Sequence, residues 1–180
     1  MKIVKEKESN TVKALKEFGY KNAISAPHLT KISISVGTGS DMKKDRERNN
    51  LVADRLSKIT GQKPSLRAAK KSVAGFKSRE GDPVGLVVTL RGARMYHFID
   101  KLINIALPRT KDFRGINPKS VDDIGNMTIG IKEHTIFPEC SDEDLRDVFG
   151  MAITIGTTAK TKEEALAFFT HIGIPFKKDL

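Results

Sequence analysis

Four segments of this chain alternate apolar and polar side chains with a period of two, and that alternation limits the possible folds more than any other feature. Ile32, Ile34, Val36; Val84, Leu86, Val88, Leu90; Met127, Ile129, Ile131; and Met151, Ile153, Ile155 take every second position. Between or beside them stand Lys31, Ser33, Ser35, Thr89, Arg91, Thr128, Thr154 and Thr158. Successive strand side chains point to opposite faces, so these segments predict a sheet with one apolar face and one polar face. Such a sheet needs cover on one side only. Helical stripes are available to provide it. Val12, Leu15 and Phe18 suit a first helix stopped by Gly19. Val52, Leu56 and Ile59 suit a second helix over about 42–60, ended by Gly61. Met95, Phe98, Ile99, Leu102, Ile103 and Ala106 make a third over about 93–107. Thr161-Lys-Glu-Glu164 is a capping box opening a last helix that buries Ala165, Phe168, Phe169 and Ile172. A weaker strand is expected from Pro64 to about Lys70, a basic loop over 71–82, and an irregular stretch after Pro108. The expected architecture is α+β with a largely antiparallel sheet. Without repeats or low-complexity segments, residues 1–180 read as a single domain.

An uncovered polar face raises the question of what it meets, and the charge answers it. The chain has 32 Lys and Arg against 22 Asp and Glu, a net charge of +10. The excess is uneven: residues 1–115 carry +14 and residues 116–180 carry −4. Strong positive charge favours a polyanion, meaning nucleic acid or an anionic membrane surface. No apolar run approaches the roughly 20 residues of a membrane span, and the first ten residues lack the apolar centre of a secretory signal. The lone Cys140 allows no intrachain disulfide, which fits a reducing cytoplasm. Nucleic acid is the better partner. Small hydroxyl side chains let phosphates and riboses approach closely, and cations neutralise phosphates. The alternative is that Ser and Thr are ordinary solvent-facing strand residues.

The most basic stretch runs from Lys63 to Gly81. It holds Lys63, Arg67, Lys70, Lys71, Lys77 and Arg79 against Glu80. Phe76 among these cations suits stacking on a base or ribose, and Gly75 suits close backbone approach. A solubilising hairpin tip is the competing account. No catalytic site is read. Ser35-Val-Gly-Thr-Gly-Ser40 lacks both the third glycine of a dinucleotide turn and the Lys of a P-loop. Cys140, His28, His97, His134 and His171 show no metal-ligand spacing, and the acidic 139–147 run lacks the pattern of a calcium loop. No cofactor and no metal are expected.

Several segments, in order, carry a resemblance. They are Gly61-Gln-Lys-Pro64, Lys70-Lys-Ser-Val-Ala-Gly-Phe-Lys77, Val88-Thr-Leu-Arg-Gly92, Leu107-Pro-Arg109, Asp112-Phe-Arg-Gly115, Gly125-Asn126, Ile136-Phe-Pro-Glu139 and Thr157-Thr-Ala-Lys160. Together they resemble the 5S-rRNA-binding ribosomal protein family of the bacterial large subunit, ribosomal protein L5, from about Pro27 to Phe176. The resemblance implies a curved, mostly antiparallel sheet with helices on one face and the other face open for RNA. It implies a non-enzymatic protein of the cytoplasmic ribosome, assembled with 5S rRNA, 23S rRNA and other proteins of the central protuberance. Family 5S contacts map to Ser35, Gln62, Thr89 and Arg91, with Lys31, Ser33, Lys63 and Arg94 as neighbours on the same face. The family loop that touches P-site tRNA maps to Lys70, Lys71, Ser72, Val73, Ala74, Gly75, Phe76, Lys77 and Arg79. An intersubunit bridge to a basic protein of the small-subunit head maps to Asp112, Phe113, Arg114, Gly115, Glu139, Asp142, Glu143, Asp144 and Asp147. The chain departs from the family at Ser35, where Asn is usual, and at Val121-Asp-Asp123, where Phe-Asp-Gly is usual. Two other function classes compete: a DNA- or single-strand-binding domain, and an enzyme acting on RNA. No helix-turn-helix or zinc signature supports the first, and no His/Asp/Glu cluster in the basic two-thirds supports the second.

Overall fold

The structure is a computed structural model, and it describes residues 3–15, 18–20, 22, 24–39, 47–76, 78–140 and 148–177. Five strands, β1 (Leu29–Gly37), β2 (Ser65–Ala68), β3 (Pro83–Leu90), β4 (Met127–Ile131) and β5 (Met151–Thr157), form one open sheet. Their order is β2-β3-β1-β5-β4. β2 pairs antiparallel with β3, Leu66 opposite Leu86. β1 and β5 also run antiparallel: His28 exchanges backbone and hydroxyl bonds with Thr158, and Thr30 Oγ1 donates to the Gly156 carbonyl at 3.0 Å. Five helices accompany the strands: α1 (Ile3–Ser9), α2 (Thr11–Ala14), α3 (Arg48–Thr60), α4 (Gly92–Lys101) and α5 (Lys162–Ile172). The α+β expectation holds.

The chain forms two compact units. One comprises Met1–Ile32, Leu90–Ile129 and Ile153–Leu180; the other comprises Ser33–Thr89 and Gly130–Ala152. In the second unit, buried Ile34, Val36, Leu86 and Val88 from the strands and Val52, Leu56 and Ile59 from α3 form the core. Full burial of each such side chain stabilises by about 1.5–3 kcal/mol. A slip of β1 by one residue would bring the serines into the core and expose the aliphatics, so burial enforces the register. α3 ends where the sequence indicates. Gly61 adopts φ 67°, a left-handed C-cap, and its N–H returns to the Ser57 carbonyl at 2.8 Å. The part of the expected helix over 42–46 lies outside the described residues.

In the first unit, α1 packs on α4 and α5. Asp100 Oδ1 accepts the Val4 N–H at 3.1 Å, and Lys7 Nζ donates to the Ile172 carbonyl at 2.9 Å. His171 Nε2 donates to the Lys7 carbonyl at 2.7 Å. Glu8 takes the Leu29 N–H at 2.7 Å on one oxygen and the Tyr96 hydroxyl on the other. The expected first helix is therefore displaced toward the N-terminus and broken. Leu15 is buried as anticipated, but Phe18 lies beyond α2 and is exposed. The third expected helix is found as α4, but from Leu102 to Ala106 it widens into a π-turn, with Leu107 N–H reaching the Leu102 carbonyl at 2.9 Å. Its stripe of Met95, Phe98, Ile99, Leu102 and Ala106 is buried. α5 is capped by Thr161, whose Oγ1 accepts from Glu164 N at 3.3 Å. The Glu164 carboxylate reaches back one residue further than a capping box requires, to Lys160 N at 3.0 Å.

Candidate nucleic-acid interface

The polar strand positions remain at least partly open to solvent. In the second unit Ser33 and Ser35 on β1 and Thr89 on β3 are half-exposed, while Ile34, Val36 and Val88 between them are buried. The chain continues to Gln62 and Lys63 immediately after the Gly61 turn. Gln62 is half-buried, and its Nε2 donates to the Thr89 carbonyl at 3.2 Å, tying the end of α3 to β3. Lys63 is exposed. The structure thus brings Gln62 and Thr89 together.

In the first unit Lys31, Arg91 and Arg94 are exposed. Arg91 is the extended residue (φ −140°, ψ 164°) that ends β3 and precedes α4, and Arg94 lies in the first turn of that helix. Thr128 on β4 is exposed and Thr154 on β5 half-exposed, their hydroxyls 3.2 Å apart. Exposed guanidinium and ammonium groups beside hydroxyls can neutralise phosphates and hydrogen-bond to riboses.

The basic segment between β2 and β3 is more ordered than the loop expected. Val73 and Ser78 form an antiparallel bridge with N–H···O distances of 3.0 and 3.3 Å, closing around a single 3-10 turn, Ala74–Phe76. Below it, Glu80 N donates to Ser72 Oγ at 3.0 Å, and Arg79 N to Asp82 Oδ2 at 2.7 Å. Lys70, Lys71, Ser72, Val73, Ala74, Gly75 and Arg79 are exposed. The Phe76 side chain and Lys77 lie outside the described residues. Arg67, on the exposed edge strand β2, extends the cationic run; the sequence counted it in the basic stretch but not among the contact residues.

The third set of residues falls on the 108–117 stretch and on the acidic run. Asp112 has φ 55°, and Gly115 has φ 99°. A Cβ on Gly115 would meet Lys177 N at 2.6 Å, because the following Ile116 pairs with the C-terminal segment through Ile116 N to the Pro175 carbonyl at 2.8 Å. Asp112 and Arg114 are exposed, and Phe113 is half-buried. Glu139 is exposed in the 3-10 turn Pro138–Cys140, whereas Asp142, Glu143, Asp144 and Asp147 lie outside the described residues. The unusual Val121-Asp-Asp123 segment forms a closed turn. Asp122 accepts from Asn126 N at 2.6 Å through Oδ1, its own N–H returns to the Asn126 carbonyl at 2.9 Å, and Val121 is buried. Among the described residues, no group of three or more His, Cys, Asp or Glu side chains could hold a metal ion. No described helix is long and apolar enough to cross a membrane.

Comparison with known proteins identifies the family. Residues 22–79 match the family model described as Ribosomal protein L5, and residues 83–176 match the model for the C-terminus of the same ribosomal family. The large ribosomal subunit protein uL5 of Heliobacterium modesticaldum is 47% identical over 181 residues, covering 99% of this chain and 100% of the relative. The uL5 of Carboxydothermus hydrogenoformans is 47% identical over 180 residues, with 99% and 100% covered. That of Natranaerobius thermophilus is 49% identical over 160 residues, with 89% of each chain covered. The chain belongs to the ribosomal protein L5 family.

Proposed function

We propose that this chain is a non-catalytic structural constituent of the large ribosomal subunit that binds 5S rRNA within the central protuberance. In this reading Ser35, Gln62, Thr89 and Arg91 contact 5S rRNA, with Lys31, Ser33, Lys63 and Arg94 beside them. The 70–79 hairpin touches P-site tRNA. Asp112–Gly115 and the acidic residues Glu139, Asp142, Glu143, Asp144 and Asp147 take part in an intersubunit bridge with a basic protein of the small-subunit head. 23S rRNA and other central-protuberance proteins are its remaining neighbours, in the cytoplasm. The observation that carries the reading is that the polar strand positions are left half-exposed while their apolar neighbours are buried. A solvated polar face is ordinary for an antiparallel sheet; what favours a polyanion here is that exposed cations accompany it in a chain of +10 net charge.

The test is binding of labelled 5S rRNA to the purified protein across a salt series, with duplex DNA as competitor. Log affinity should fall linearly with log salt, by roughly 0.7–0.9 for each phosphate neutralised. Arg91→Ala should weaken binding by about 1–3 kcal/mol and flatten that slope by about one phosphate, because an exposed cation is lost and no core contact with it. Duplex DNA competing as well as 5S rRNA, or unchanged affinity in the variant, would remove the basis of the proposal.

A further inference from the structure

β2 forms one edge of the sheet: β3 lies on one side of it and, among the described residues, no strand lies on the other. Its outward N–H and C=O groups make a row that an extended chain can pair with. All four of its residues are exposed, and Leu66 is 54% exposed. The leucine nevertheless belongs to the core side. It stands directly opposite Leu86 of β3, and residues directly opposite one another share a face. Leu86 is 3% exposed, in the core that includes Val52, Leu56 and Ile59 of α3. The apolar layer of this unit therefore runs one strand further than its cover. Arg67, opposite Gly85, turns to the other face, the one that carries Ser33, Ser35 and Thr89. Lys63 precedes the strand and Lys70 and Lys71 follow it, all exposed. Natural edges are blunted by charge, which Arg67 supplies on one face; Leu66 does the opposite on the other.

Whatever completes this edge has three conditions to meet. It brings N–H and C=O groups at strand spacing, apolar groups on the face of Leu66, and negative charge on the face of Arg67. A nucleic-acid backbone meets only the last, since it offers phosphate acceptors and no apolar partner for the leucine. A second copy of this chain sets Arg67 and the flanking lysines against their own kind, which like charges on paired strands oppose. An extended peptide with apolar and acidic side chains in alternation meets all three, because its successive side chains point to opposite faces. We infer that β2 is the docking edge for such a segment of a protein partner, which adds a strand beyond β2, buries Leu66 and pairs its acids with Arg67. The inference goes beyond the RNA-binding reading, and neither Leu66 nor Arg67 is among the residues given to 5S rRNA there.

The full chain, free of RNA, is titrated with a labelled synthetic peptide of about six residues, an ordinary strand length, that alternates valine and glutamate. Two controls carry the same charge: the same residues in two blocks, and the alternating peptide with every amide N-methylated. The alternating peptide should bind at least about tenfold more tightly than either, because only it satisfies both faces and the backbone row. Leu66→Ser should weaken its binding about tenfold, since about half of the leucine side chain is still to be buried. Arg67→Glu should weaken it as well and should raise affinity for a valine–lysine peptide. Both variants should keep the wild-type denaturation midpoint, as neither side chain is buried. Equal binding of the alternating, block and methylated peptides would reduce the effect to charge attraction and overturn the inference. So would wild-type affinity in Leu66→Ser, or self-association of the free chain that Leu66→Ser abolishes, which would give the edge to a second copy. Arg67→Glu that weakens 5S rRNA binding while leaving peptide binding unchanged would give that face to RNA and likewise sink it.

Discussion

Arg55 shows how a single residue can contradict its type and obey its position. On α3 it stands three residues after Val52 and four before Ile59, on the apolar stripe, and it is 7% exposed. Its Nη1 lies 3.4 Å from His134 Nε2, and the His134 ring stacks on Phe149 with centroids 4.1 Å apart. The helical spacing would have placed Arg55 inward, but only the fold brings His134 and Phe149, some eighty and ninety residues later, into the neighbourhood. Gly115 is the opposite case, since its φ of 99° and the 2.6 Å approach of Lys177 N leave no room for a side chain. Gly115→Ala should cost about 3 kcal/mol or more, through strain and displacement of the Ile116–Phe176 bridge. Chemical denaturation measures this, and a midpoint equal to wild type would show that the C-terminal segment moves aside freely.

The hairpin between β2 and β3 behaves as a separable element. Its tip is closed by the Val73–Ser78 bridge, and its described side chains from Lys71 to Gly75 are exposed, so little burial depends on them. Ser72 and Glu80 are already within hydrogen-bond distance below the tip. Deleting Val73–Arg79 should therefore leave the melting temperature within a few degrees of wild type and 5S rRNA affinity intact, while weakening P-site tRNA binding on reconstituted ribosomes. Loss of 5S rRNA binding in that variant would mean that the two surfaces have been wrongly apportioned. The basic composition of this element was plain in the sequence, but its order was not, because a two-residue bridge has no periodic signature. The same limit explains the π-turn at Leu102–Ala106. An apolar stripe reports which side is buried, and a shift of one hydrogen-bond step scarcely alters it.

At the scale of the whole molecule, two phenol–carboxylate pairs make stability depend on alkaline pH. The Tyr20 hydroxyl donates to Glu164 of α5, and the Tyr96 hydroxyl of α4 donates to Glu8 of α1. Burial first, then the hydrogen bond to Glu164 and its charge, pushes Tyr20 from 10.0 up to about 12; burial and Glu8 push Tyr96 upward in the same way. Both groups bind their protons more tightly when folded. Their contribution is therefore fully present below about pH 10, the ordinary value for Tyr, and is lost as pH rises from there, through about 12 for Tyr20 and higher still for Tyr96. Denaturation midpoints at pH 8 and pH 11 should differ less in a Tyr20→Phe, Tyr96→Phe double variant than in wild type; an equal difference would rule out the pairs as its source.

The alternation of four segments and the apolar helical stripes determined from the sequence alone that a one-sided sheet would form, because burial of alternate side chains acts locally and repeats. The family likeness was carried by short segments dispersed along the chain. The partners of Glu8, Asp100, Gln62 and Arg55 were decided only in three dimensions. Each joins residues 21 to 96 positions apart, and hydrogen bonds to distant backbone or side-chain groups leave no mark in any local pattern.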